Sequence, residues 1–173
     1  MNQLKEAIYY GRELFLAGVN NGANGNLSFK KKGQVLITRS GSVMSELTRV
    51  DFVKTTSANS SSETPAHQII YDNNCKINAI LHIHSSSAIT LSLKTKKKNI
   101  VPVDLEGKYH FPTIPIITTK LIPGAPDLPA KLLKNHSTGA VIVRGHGVFV
   151  FGESIRECYL KALTVDNICG ILR

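Results

Sequence analysis

A chain of 173 residues, 42% hydrophobic, has the size and apolar content of one globular domain, long enough to bury roughly two thirds of its unfolded surface. No apolar run approaches the roughly 18 residues of a membrane span, and the charged opening MNQLKEAIYYGRELF lacks the apolar core of a secretory leader; a cytoplasmic chain without a membrane partner is expected. The net charge of +9 raises nucleic acid as a partner, but the lysines gather in FKKKG and LKTKKKN without interleaved aromatics, which reads as solvated turns and not as a nucleic-acid surface.

In chain order, residues 3–19 set Leu4, Ala7, Ile8 and Phe15 close to one helical stripe that ends in the turn-rich NNGANGN. LSF and QVLIT, joined by KKKG, read as a strand hairpin. After the polar loop TTSANSSS, a helix runs from Glu63 through Tyr71, with Ser62 as its cap and Pro65 in its first turn. INAILHIH is a buried strand, SSSAITLSL a helix and TIPIIT a strand. DLPAKLLKNH begins another helix, with Asp127 as cap and Pro129 early. AVIVR and VFVFG are strands about a tight turn, and ESIRECYLKALTVDNICGILR is a long closing helix. Cys75, Cys158 and Cys169 are odd in number and lack CxxC spacing, so they read as reduced thiols. No repeat or linker divides residues 1–173, and the intermixed elements predict an α/β fold with a mainly antiparallel sheet covered by helices.

Two residues apart on a strand point to one side, so His82 and His84 converge while Ile83 turns inward. That suits a shared metal, and equally a polar pair at a strand end. His146, in RGHG after AVIVR, offers a third imidazole between glycines that allow close approach. Three neutral imidazoles with an open position form a recurrent catalytic zinc arrangement. Glu63 is the acid best placed to join them, although a first-turn carboxylate also suits the helix dipole. Ser61 and Ser62 at a helix start, with GANGNLS and TRSGS, supply hydroxyls, an amide and backbone N–H groups fitted to a phosphate.

The ordered set GANGNLS, ITRSG, SSE, HIH and RGHG resembles the class II aldolase/adducin family, closest to its small L-fuculose-phosphate aldolase-like members, over residues 3–170. The resemblance implies a three-layer fold, an antiparallel sheet between helical layers, assembled as a homotetramer. It implies a divalent metal, normally zinc, on His82, His84 and His146, with Glu63 as the catalytic acid/base. Asn26, Ser40, Gly41, Ser61 and Ser62 fall on the family's substrate-phosphate pocket. The implied activity is cleavage of a phosphorylated ketose to dihydroxyacetone phosphate and an aldehyde. Epimerases and dehydratases on the same scaffold, and a non-catalytic adducin-like module, are the alternatives. The family's C-terminal tyrosine has no counterpart before Arg173, and Glu106 and Tyr109 read as loop residues near the place of other members' interface groups.

Overall fold

Strand and helix faces follow directly from the period of the apolar residues. The computed structural model describes residues 2–20 and 22–173. In chain order its elements are α1 (Gln3–Leu16), β1 (Asn26–Lys31), β2 (Gln34–Thr38), β3 (Phe52–Lys54), α2 (Thr64–Asn73), β4 (Ala79–Ile83), α3 (Ser86–Lys94) and β5 (Asn99–Ile100). There follow α4 (Leu105–His110), β6 (Ile114–Ile117), α5 (Leu128–Asn135), β7 (Ala140–Val143), β8 (Gly147–Gly152) and α6 (Ile155–Leu172). The strands form one sheet in the order β3-β2-β1-β4-β8-β7-β6-β5. Every neighbouring pair is antiparallel except β6 and β7.

Alternation along the central strands divides the core in two. Leu27 and Phe29 of β1, Leu81 and Ile83 of β4, and Val148 and Val150 of β8 pack with α1, α3 and α6. Ile80 of β4, and Phe149 and Phe151 of β8, point the other way, onto α2 and α5. The three-layer α/β arrangement with a mainly antiparallel sheet is therefore the observed one. His82, two residues from Ile80, shares its face, and Asn26 and Ser28, which flank Leu27, take the face opposite to it, so all three look toward the α2 layer.

The departures from the sequence reading are local. The first helix stops at Leu16 because Gly18 takes a φ of 70° and the Val19 amide turns back to the Leu14 carbonyl. Ser62 does not cap α2; Glu63 holds the cap position without a side-chain cap bond. Asp127 likewise makes no cap bond and pairs with Lys131 instead, at 2.7 Å. Glu106 and Tyr109 stand on the short helix α4, begun by a bond from the Gly107 amide to the Asp104 carboxylate, and not in a loop. The lysine runs lie only partly in turns: Lys30 and Lys31 close β1 and Lys32 stands in the turn to β2, while Lys94 ends α3 and Lys96, Lys97 and Lys98 lie between α3 and β5. Among the described residues, no helix is long and apolar enough to cross a membrane.

Candidate active site

β4 lies between β1 and β8, with His82 in register with Asn26 on one side and Phe149 on the other. The His82 ring is fully buried and stacks on Phe149, centroids 4.1 Å apart. Its Nδ1 lies 3.0 Å from the Val148 carbonyl. A carbonyl only accepts, so Nδ1 carries the proton and Nε2 presents a lone pair. His84, one residue beyond the strand, keeps to the same side, with its Nε2 2.9 Å from that of His82. His146 enters from the β7–β8 turn, where Gly145 has a φ of 70°, and its ring centroid is 4.8 Å from each of the other two. One ligand nitrogen from each of the three lies within 4.8 Å of the others.

Glu63 turns its carboxylate into this cluster. Oε2 accepts from Asn26 Nδ2 at 2.7 Å and lies 3.4 Å from His82 Nε2, while Oε1 lies 3.5 Å from His146 Nε2. The turn before it is tied locally: the Ser61 hydroxyl accepts from the Glu63 amide, and the Thr64 hydroxyl donates to the Ser61 carbonyl. Burial, then the neighbouring His84 and His146, hold His82 well below the usual histidine range. Burial and His146 lower His84 as well, with Glu63 opposing. The His82 and His84 rings, the His146 ring and a carboxylate thus direct nitrogens and oxygens at one small volume. Acceptors facing one another at these distances repel unless a cation or proton lies among them, so the donor set fits a divalent metal.

A cavity of about 440 Å³ opens over the cluster, lined by Glu63, His84 and His146 and also by Ser40, Ser61 and Ser62. The size is that of a small-metabolite site. Ile89, Leu121 and Ile122 add an apolar wall. Asn26 borders the cavity, but its Nδ2 is engaged by Glu63 and its Oδ1 is buried without a partner. Gly41 lies outside the lining, in the turn after Ser40, with a φ of 76°. His82 lies beneath the cavity floor.

Several supporting residues escaped the sequence reading. Asn20 accepts from the His84 amide at 2.9 Å and donates to the Asn24 carbonyl at 2.7 Å, tying the loop before β1 to the end of β4. A Cβ on Gly25 would come within 2.3 Å of the His82 carbonyl, so only glycine lets that loop approach. The Ser85 hydroxyl caps α3 and bonds Asp166 of α6, which anchors the chain just after His84. His67 and Ser28 form a buried pair behind Glu63. Only the spacing of Glu63, His67 and Tyr71, four residues apart on a helix, was available as a signal for the last of these.

Residues 5–172 match the family described as Class II Aldolase and Adducin N-terminal domain. The chain belongs to this family. Among its class II aldolase relatives, a methylthioribulose-1-phosphate dehydratase of Yersinia enterocolitica is 33% identical over 171 residues, covering 86% of this chain and 81% of that protein. An L-fuculose phosphate aldolase of Methanococcus maripaludis is 28% identical over 159 residues, covering 87% and 84%. The crystal structure of an L-fuculose-1-phosphate aldolase from Thermus thermophilus superposes with a TM-score of 0.90 at 26% identity, covering 99% of this chain and 93% of that one. The family match spans the elements that carry all three imidazoles, Glu63 and the serine loops.

Proposed function

We propose that the chain is one domain, a metal-dependent aldolase that cleaves a phosphorylated ketose to dihydroxyacetone phosphate and an aldehyde. The observation that carries this reading is the Glu63 carboxylate, 3.4 and 3.5 Å from two imidazoles of a three-histidine cluster and bordering the same cavity as Ser40, Ser61 and Ser62. His82, His84 and His146 would hold zinc, or another divalent cation, through neutral nitrogens. When bound, such a cation stabilises the negative charge that develops on the substrate's oxygens as the carbon–carbon bond breaks.

The chain's own residues do the rest. Ser61 and Ser62, with Ser40 in the neighbouring turn that Gly41 shapes, hold the phosphate and so orient the carbon next to the ketone. As the carbon–carbon bond breaks, the hydroxyl of the departing carbon gives its proton to solvent and becomes the aldehyde, the bonding pair stays on the carbon next to the ketone, and Glu63 delivers a proton to it. In the reverse direction the Glu63 carboxylate removes one proton from the same carbon of dihydroxyacetone phosphate. Asn26 holds Oε2 during both steps and so fixes the direction in which Glu63 works. Val101, Val103, Leu105 and Tyr109 lie more than half exposed on one stretch of chain, an apolar surface suited to a homo-oligomer, most simply a tetramer.

A dehydratase is the second reading, favoured by the 33% identity to the Yersinia relative. It begins with the same proton removal beside the ketone, after which hydroxide leaves from the next carbon and no carbon–carbon bond breaks. Incubation with ketose 1-phosphates, with and without chelator, separates the two by product. Chelator-sensitive release of dihydroxyacetone phosphate supports the aldolase, whereas a dehydrated diketone phosphate replaces that reading with the dehydratase.

A further inference from the structure

Behind Glu63, the seam between β1 and α2 is polar where a core would ordinarily be apolar. Asn26 and Ser28, two apart on β1, face Glu63, His67 and Tyr71, which recur every four residues on α2. Asn26 Nδ2 donates to Glu63 Oε2, and the Ser28 hydroxyl lies 2.7 Å from His67 Nδ1 and 2.8 Å from the Tyr71 hydroxyl. All five residues are buried, Ser28 and His67 completely. Polar groups so placed cost stability unless each finds a partner, so a seam of five is not explained by packing.

Two atoms in this seam are left without partners, His67 Nε2 and Asn26 Oδ1. Burial pushes the His67 imidazole down to about 3, with the Glu63 carboxylate pulling the other way and His82 adding to the fall. The ring is therefore neutral and carries one proton. Burial pushes the Tyr71 phenol up, so it remains an O–H donor. Two assignments satisfy the Ser28 hydroxyl, and they differ in where the imidazole proton sits. The Glu63 carboxylate and Asn26 Oδ1 are both acceptors, and neither makes a hydrogen bond to His67 Nε2.

We propose that His67 is a positioning residue for Glu63, one helical turn away: Tyr71 donates to Ser28, Ser28 donates to His67 Nδ1, and the proton thereby fixed on Nε2, which makes no hydrogen bond in the structure, steadies the acid/base carboxylate through its electrostatic field alone. The inference rests on the reading of Glu63 as the proton carrier. It explains why the helix that presents Glu63 is docked through hydrogen bonds, which fix an angle, and not through aliphatic contacts alone, which do not.

Two substitutions divide the ring's functions. His67→Asn places an amide near the Nδ1 position and keeps a partner for Ser28, whereas His67→Gln reaches the Nε2 position and restores a donor there. Proton exchange of dihydroxyacetone phosphate in deuterated water is measured on the metal-loaded full chain. The expected result is a fall of about 10- to 100-fold in kcat for His67→Asn, with KM and metal content little changed, and substantial recovery in His67→Gln. Equal rates in wild type and both variants, or a better rate in Asn than in Gln, would overturn the proposal. Nitrogen-15 NMR of labelled histidine tests it without turnover. An Nε2-protonated His67 whose Nε2 shift responds to Glu63→Gln supports it, and a proton on Nδ1 overturns it even if a variant fails to fold. A wild type that exchanges no proton would reject the role of Glu63, and the NMR result for His67 would still be read on its own terms.

Discussion

His82 and Ser62 serve one cavity but are held by different physics. The His82 ring lies in the middle of an eight-stranded sheet, stacked on Phe149, its tautomer set by a backbone carbonyl. Two glycines let neighbouring backbone close on its strand: a Cβ at Gly25 or Gly147 would fall 2.3 Å from the carbonyl of His82 or Ile83. Ser62 is exposed in a turn that hangs from single backbone bonds, such as Ser61 N–H to the Thr38 carbonyl at 3.2 Å and Ser40 N–H to the Asn59 carbonyl at 2.9 Å. The strand-held end cannot shift without disturbing the core, and the loop-held end can adapt. Charge-developing chemistry needs the first kind of support, whereas recognition of a flexible phosphate tolerates the second.

The contrast breaks most visibly at His82. His82→Ala removes a buried nitrogen from the cluster, and the protein should lose its metal together with about 10³-fold or more of its turnover, the scale of several kcal/mol that a cation supplies. Metal analysis after dialysis, read beside the rate, checks this; an alanine variant that kept both would show that the imidazoles serve packing. Glu63→Gln is the sharper case, because it keeps the Asn26 contact geometry and removes only the ability to carry a proton. Turnover should fall by about 10² or more with metal content unchanged. Unaltered turnover in the glutamine variant would reassign the acid/base role.

The same division decided what was legible in the sequence. Elements with a strong period were legible: the alternation that buries Leu81 and Ile83 on one face sends Ile80 and His82 to the other, so HIH could be placed on a strand and its convergence foreseen. The short elements β3, β5 and α4 carry too few residues to show a period, and α4 depends on a single cap at Asp104. Ser62 and Asp127 have the residue types of caps, but Glu63 and Lys131 compete for those positions or side chains in three dimensions. Asn20, Ser28 and His67 were illegible because their partners lie 64, 39 and 39 residues away, at distances that no local pattern encodes.

Buried imidazoles also give the strand-held end a pH signature. His67 falls from 6.5 to about 3 on folding, so between these values the unfolded chain binds more protons than the folded one. Stability is then lost as pH falls below 6.5. His67 alone accounts for about 2 kcal/mol between pH 7 and pH 5, and the lowered His82 and His84 act in the same direction in the metal-free protein. Urea unfolding of metal-free wild type and His67→Gln across this range should show a shallower dependence in the variant. Parallel slopes would mean that His67 is not buried neutral and would weaken the contrast between the two ends.

The smallest effect is expected at Ser62. Its side chain is exposed and its loop is held through backbone groups, so Ser62→Ala should leave the fold, the metal and the proton-transfer step in place. What is lost is one hydroxyl toward the phosphate, worth about 1 kcal/mol in a wet, adaptable site, or roughly a 5- to 10-fold rise in KM. kcat should change little, because a uniform loss of binding affects ground and transition states alike. A phosphate-free ketose provides the control, since its weaker turnover should be indifferent to the substitution. If Ser62→Ala instead lowered kcat and left KM alone, the serine would be acting on the reacting carbon, and the loop-held end would belong to the chemistry as much as the imidazoles do.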